Sequence, residues 1–246
     1  MKKTFFIFVL FLSIYITIFA TWKMEVELSK VYGGYSDIRI PNKEGDLISL
    51  TDDLDMESIY SYRLMFSKTL GNKHTLLLTY APFKIESHGK LPRDIYYNDS
   101  LFVKDEMINS VYVFNSYRLT YRYKIYSTEK IDFGLGVTAK IREAFISLDE
   151  VNTGTYSKKS NVGFVPIINF NFNYKFSNDF YLNFSGDALV SPYGRAEDIF
   201  SGLYYNINKN FQLKAGYRFL EGGSDVEEVY SFSYFHYLLF GFVISI

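Results

Sequence analysis

Basic residues recur at even spacing along this chain. Arg118 and Arg122, Lys140 and Arg142, and Lys214 and Arg218 are two or four positions apart, and Arg63 and Lys175 stand in stretches of the same kind. Glu27, Asp132, Asp187 and Asp198 occur in similar surroundings. Successive side chains of a β-strand point to opposite faces, so residues two or four apart share a face. Charged groups gathered on one face have two uses. Taken out of water, they must pair with one another. Left wet, with bases outnumbering acids, they would line a narrow pore that prefers anions.

A second cluster is acidic. Glu44, Asp46, Asp52, Asp53, Asp55 and Glu57 crowd the stretch 41–57 against Lys43, and Glu221, Asp225, Glu227 and Glu228 lie close together near the end. Such runs are most simply a solvated rim. Carboxylates also suit hard divalent cations, but the spacing here matches no calcium loop, and no metal site is assigned. Asp52 and Asp53 together with His88 are the residues that could activate a water. Adjacent acids on a strand point apart, however, and no serine is tied to a histidine and an acid. His74 sits by a short turn and His236 on an apolar face. Enzymatic activity is the weaker reading, and no catalytic residue or cofactor is named.

Both clusters need elements to hold them. The chain has 246 residues, 24 of them Phe and 23 Tyr, with 22% charged, and its mean hydropathy is only −0.03. A chain so aromatic and yet average in hydropathy interleaves apolar and polar residues finely, as amphipathic strands do. There is no Cys, which excludes a lipoprotein anchor, a disulfide framework and thiolate chemistry. Without Lys2 and Lys3, 24 bases face 27 acids, so nothing points to nucleic acid. Residues 1–20 combine Lys2 and Lys3 with an apolar run from Phe5 to Phe19 and Ala20, which predicts a cleaved signal peptide followed by one domain over 21–246.

Alternation is clearest from Ser116 to Ile125, where Arg118, Thr120 and Arg122 oppose Tyr117, Leu119, Tyr121 and Tyr123. It recurs where Ile131, Phe133, Leu135, Val137 and Ala139 oppose Asp132, Gly134, Gly136, Thr138 and Lys140, and again over 168–176, 180–187, 199–207, 211–219 and 229–246. Segments 25–40, 59–70 and 74–84 are rougher. That gives about ten strands, and eight or twelve would also fit. Short links at Gly71–Lys73, Ser127–Lys130, Ser177–Asp179 and Asn208–Asn210 alternate with longer ones at about 41–57, 85–107, 147–160, 191–197 and 221–228. A soluble sandwich, the reading that alternation alone leaves open, has no reason to sort its loops by parity. A barrel with short turns at one rim and long loops at the other does.

On these features the chain resembles the small bacterial outer-membrane β-barrels. The last strand carries Tyr234, Leu238, Phe240 and Phe242 but ends in Ile246 rather than in an aromatic. The resemblance implies an all-β, closed antiparallel up-and-down transmembrane barrel in the outer membrane, monomeric, with outer-membrane lipid and the barrel assembly machinery as its partners. Some barrels of this size are proteases with acidic residues and a His at the extracellular rim. The expected function is a structural or interaction role through the acidic loops. Arg63, Arg118, Arg122, Lys140, Arg142, Lys214, Arg218, Asp132 and Asp187 would fill the lumen as a charge cluster, and Asp52, Asp53 and Asp55 would mark the acidic loop. A narrow channel or small-molecule transporter is the first alternative, and a rim hydrolase the second. The tyrosines are expected to form an interfacial girdle.

Overall fold

The computed structural model describes residues 20–246. The leader falls on residues that lie outside this range, apart from Ala20, with which the first strand begins.

The described chain is all strand and connection. β1 (Ala20–Arg39) is followed by the two-residue strands β2 (Ile48–Ser49) and β3 (Asp55–Met56). β4 (Ile59–Leu70) and β5 (His74–Ala81) form a hairpin, and β6 (Lys84–Lys90) resumes the line of β5 after Pro82 and Phe83. β7 (Ile95–Tyr97) and β8 (Ser100–Phe102) make a separate small hairpin. Seven long strands complete the chain: β9 (Met107–Ser127), β10 (Ile131–Glu150), β11 (Tyr156–Lys175), β12 (Phe180–Ser191), β13 (Gly194–Asn206), β14 (Phe211–Val226) and β15 (Val229–Ser245).

Each long strand pairs antiparallel with its neighbour in sequence, and β15 returns to β1, so β1, β4, β5 and β9 to β15 close a ten-stranded ring. Closure leaves no free edge at the level of the ring, which is what a strand structure needs in lipid. The short turns all fall at one rim, as the sequence predicts. The other rim differs from expectation. Two of its connections are long, 40–58 and 82–106, but the other three are the tight turns 151–155, 192–193 and 227–228. The strands flanking those turns continue above the barrel as hairpins. Their alternation loses its apolar partner there, and so it reads as loop.

β9 shows why. Its side chains keep one parity throughout, and Arg122, Thr120, Arg118 and Ser116 point inward while Tyr121, Leu119 and Tyr117 point out. Higher up, the inward positions become Tyr112 and Ile108, both buried, and the outward Asn109 is exposed. Apolar side chains thus face out at one level and in at the next. At the lower level Leu119, Val137, Ile168 and Phe240 are more than half exposed, as a lipid-facing belt requires. At the upper level Ile38, Ile48, Leu50, Ile95, Tyr97, Phe102, Ile108, Leu148 and Phe235 form one buried core inside the barrel mouth, built from the strand tops and both long loops. In β1 a bulge at Gly33–Tyr35 shifts the register against β15. The extra residue reverses parity, so Val31 and then Ile38 both point inward. This bulge is the reason the segment 25–40 alternates poorly.

Candidate functional site

The inward face of the belt gathers most of the predicted lumen residues into one ion-pair network. Asp198 of β13 is its centre. It accepts hydrogen bonds from Arg63 Nη2 at 2.9 Å, Arg118 Nη2 at 2.5 Å and Arg218 Nη1 at 2.7 Å. Glu27 of β1 binds Arg218 Nη2 at 2.7 Å and Lys214 Nζ at 2.5 Å, with Arg63 Nε 3.5 Å away. Asp187 of β12 takes Arg118 Nη1 at 2.7 Å, the Thr138 hydroxyl at 2.7 Å and the Asn169 amide at 2.8 Å. Arg122 Nε donates to Asn169 Oδ1 at 2.7 Å. Lys214 also reaches Glu25 at 2.5 Å, and the Tyr204 hydroxyl donates to the same carboxylate at 3.1 Å. Every barrel strand except β5 and β15 supplies a group to this network.

The physics of the site follows from its burial. Glu27, Arg63, Arg118, Asp187, Asp198, Lys214 and Arg218 are all buried. Removing a charge from water costs several kcal/mol after relaxation, on the order of magnitude typical of protein interiors, and only close, multiply hydrogen-bonded partners offset it. The forked guanidiniums do this by bridging. Arg118 spans Asp187 and Asp198, and Arg218 spans Glu27 and Asp198, each with two separate nitrogens. The strand pleat brings these groups together because each comes from an inward position at a similar height.

An aromatic plate backs the network on one side. Phe200 is buried, with Lys214 Nζ 4.1 Å and the Arg218 guanidinium 5.4 Å from its ring centre. Its ring lies across Gly202 and Gly216. A Cβ on Gly202 would stand 2.3 Å from the ring, and one on Gly216 would stand 2.7 Å from it. Tyr204 stacks on Tyr181 at 4.7 Å and joins Phe200, Leu239 and Val243 in a small apolar cluster.

The other expected lumen residues lie elsewhere on the inner face. Asp132 is near the short-turn rim, with Lys124 at 3.4 Å, Lys175 at 3.6 Å and the Ser127 hydroxyl at 2.5 Å. Lys140 and Arg142 face a cavity above the network. Glu25, Thr138, Asn169 and Phe200 are not singled out by the sequence, and Tyr204, expected in the interfacial girdle, instead points inward and is buried beside Glu25, because it shares the inward parity of Asp198 and Phe200 on β13. Parity marks Glu25 as facing the same way as Glu27. Nothing in the sequence marks Phe200, an aromatic on a polar face.

The acidic loop is divided. Asp53 accepts from the Ser49 amide at 3.0 Å and from both terminal nitrogens of Arg93 at 3.1 Å, so it braces the loop. Asp52 and Asp55 are exposed. Asp55 pairs in register with His88, and His88 Nδ1 lies 3.6 Å from Glu57. His88 thus stands beside Asp55 and Glu57, not beside the Asp52–Asp53 pair. Among the described residues, no group of three or more His, Asp or Glu converges in a way that could hold a metal ion.

No family model matches the sequence, and no curated protein matches it. Solved structures do resemble the fold. The outer membrane protease OmpT from Escherichia coli aligns with a TM-score of 0.63 at 8% identity, covering 92% of this chain and 97% of that one. Ail, the attachment invasion locus protein of Yersinia pestis, crystallised with the heparin analogue sucrose octasulfate, aligns at 0.40 and 11% identity over 92% of this chain and 99% of that one. An outer membrane channel from Pseudomonas putida F1 aligns at 0.45 and 8% identity over 92% and 95%. At such identities the likeness concerns architecture alone, and on that ground the chain is a closed ten-stranded antiparallel barrel with the fold of the bacterial outer-membrane β-barrels.

Proposed function

We propose that this protein is a sealed, non-conducting barrel of the bacterial outer membrane that serves as a rigid base for an ordered extracellular head, through which it makes its contacts. The single observation that carries the reading is the network centred on Asp198, which spans the lumen from β1 and β4 to β12 and β13. Two cavities lie on either side of it. One, of about 650 Å³, opens toward the short-turn rim and is lined by residues such as Lys23, Asp132 and Gln212. The other, of about 320 Å³, lies toward the long-loop rim. They share no lining residue, and between them stand the ion pairs and the Phe200 plate, with a water-sized void of about 20 Å³ beside Glu27, Arg63, Arg118 and Arg218. A ten-stranded barrel has a lumen narrow enough for side chains to fill, unlike the 16–18 strands typical of open porins.

The head supports the second half of the reading. Its loops are fixed by a shared apolar core and by ties such as Arg93–Asp53. They present Asp52, Asp55 and Glu57 to solvent. An ordered acidic surface suits a basic partner, whose approach it would steer.

Planar-bilayer recording tests the seal. Refolded wild-type protein is expected to insert without unitary current. A steady, reproducible conductance from protein that shows the heat-dependent gel mobility of a folded barrel would reject the sealed reading in favour of a narrow channel.

A further inference from the structure

The cavity above the network has a composition of its own. Its walls are largely apolar, with Tyr112, Ile146, Val165, Leu189, Leu220 and Phe235 among its lining. Its floor is basic. Lys140 is only 3% exposed and has no carboxylate within 4 Å among the described residues; its ammonium lies 4.8 Å from the Phe114 ring centre. Arg142 gives Nη2 to Asn161 at 2.8 Å, but its Nε is buried without a hydrogen-bond partner. The one acid in the lining, Glu221, is already held by Arg195 and Tyr35, and Lys159 at the cavity's edge pairs with Glu228. The acids that face Lys140, Asp187 and Asp198, are already bridged by Arg118, so the two cations on the floor of this apolar cavity have no ion-pair partner of their own among the described residues. Buried polar groups without partners are rare in proteins and call for a physical explanation.

The cavity also has a side door. β11 and β12 pair only from Lys175–Tyr181 up to Ile168–Ala188. Above that point β11 goes on to Tyr156 paired with β10 alone, and β12 goes on to Ser191 paired with β13 alone. Pro166, just past the last pair, has no N–H to extend a ladder, and proline in sheets belongs to edges. The two parted edges contribute Lys159, Asn161 and Val165 on one side, and Leu189 and Ser191 on the other, to the cavity lining. The outer lips are apolar and bare: Val162 is 71% exposed, Phe164 68% and Val190 71%. They extend the row Ile168, Phe170 and Phe172 upward, and on the outer face Glu143 stands in register beside Val162 and Arg195 beside Val190, so the opening lies at the upper edge of the apolar belt, where the outer wall turns from apolar to charged.

We propose that the cavity binds a single-chain amphiphile with an anionic head, of the fatty-acid class, taken sideways from the membrane through the parting of β11 and β12. The carboxylate meets Lys140 and Arg142, and the chain lies along the apolar wall toward the opening. A cavity of about 320 Å³ is at the lower end of the size usual for small-molecule sites, which fits one chain rather than a whole phospholipid.

A tryptophan inside the cavity reads occupancy. In a Trp22→Phe background, which removes the only native Trp, Phe114→Trp keeps an aromatic face beside Lys140 and places a fluorophore on the cavity wall. In vesicles, 2-bromododecanoate, whose bromine lies beside the carboxylate, is expected to quench it saturably, and 2-bromododecanol about tenfold more weakly. Lys140→Met in the same background should weaken the quenching by about tenfold. Arg142→Met gives the same reading if Lys140→Met does not yield a heat-modifiable barrel. Equal quenching by acid and alcohol, or unchanged quenching in a folded Lys140→Met or Arg142→Met variant, would overturn the anion site. 2-Bromohexanoate, which stays in water, should quench little at the same concentration; quenching equal to that of the longer acid would overturn entry from the membrane.

Discussion

The two halves of this barrel's interior are filled by opposite means. At the level of the lipid belt the inner face is occupied by Glu27, Arg63, Arg118, Asp187, Asp198 and Arg218, held by ion pairs. In the mouth above, the same strands turn Ile38, Tyr112, Ile108, Leu148 and Phe235 inward, held by apolar burial. β9 carries both fillings on one face with no change of parity. What differs is the solvent outside. Where lipid covers the wall, apolar residues gain nothing by turning inward, and a narrow lumen is filled by polar groups that satisfy each other. Where water covers the wall, the hydrophobic effect operates as in a soluble protein and draws apolar side chains in. The medium outside decides what the inside is made of.

Breaking the lower filling should have the largest effect. Asp198→Ala leaves Arg63, Arg118 and Arg218 converging on a space without a carboxylate. Losing one partner of a buried pair is expected to destabilise by about 3–5 kcal/mol, read as a lower urea midpoint for the whole barrel in lipid vesicles. An Asp198→Ala, Arg218→Met double variant should recover part of that loss, because one orphaned cation is then gone. No change in midpoint for Asp198→Ala would mean that the network contributes nothing to holding the barrel.

Breaking the upper filling should act differently. Leu50 is fully buried in the head core, and Leu50→Ala is expected to cost about 2–5 kcal/mol. That loss should appear as local opening. Loops 40–58 and 82–106 become sensitive to protease, while the heat-modifiable mobility of the barrel is unchanged. A loss of barrel mobility along with loop protection would show that the two fillings form one cooperative unit.

The same inversion explains how much was legible in the sequence. Belt segments such as Ser116–Ile125 show their outer face, because apolar-out alternation persists for as long as the strand is in lipid. The charges at Arg118, Asp187 and Arg218 were legible for that reason, and their meeting at Asp198 follows from closure of the ring. The head was not. Tyr112, Ile146 and Leu148 are apolar on the face that carries Arg118 and Lys140 lower down, so a single pattern applied to the whole strand ends where the polarity reverses. The bulge at Gly33–Tyr35 hides the top of β1 in the same way. Asp52, Asp53 and Asp55 were visible as charge, but not that Arg93, forty residues on, would claim Asp53.

A matched pair of substitutions on one face of β9 sharpens the boundary between the halves. Leu119 points outward within the belt and is half exposed, while Val111 points outward higher up, opposite Glu86 of β6. Leu119→Lys is expected to destabilise by about 2–4 kcal/mol if it lies near the bilayer midplane. Val111→Lys is expected to stay within about 0.5 kcal/mol, as surface substitutions do. Urea unfolding in vesicles measures both. Similar losses for the two would place Val111 in lipid and move the boundary upward.

The smallest effect tests whether the head is dry. Tyr97 of β7 is buried in the head core, and its hydroxyl donates to the Ile146 carbonyl at 3.0 Å. Burial pushes its phenol above the ordinary tyrosine value of 10.0. A raised value in the folded state means that the neutral phenol is the form the fold accepts. Its contribution is therefore complete below about pH 10, and it is lost as the pH climbs from there through the folded value. Tyr97→Phe removes the hydrogen bond, a loss of about 0.5–1.5 kcal/mol. It should also remove part of the alkaline opening of the head. In the wild type, protease sensitivity of the loops is expected to rise above pH 10 while the barrel retains its mobility, and in Tyr97→Phe the rise should be shallower. Identical alkaline profiles for the two proteins would mean that water already reaches Tyr97, and that the upper filling is looser than its apolar composition implies.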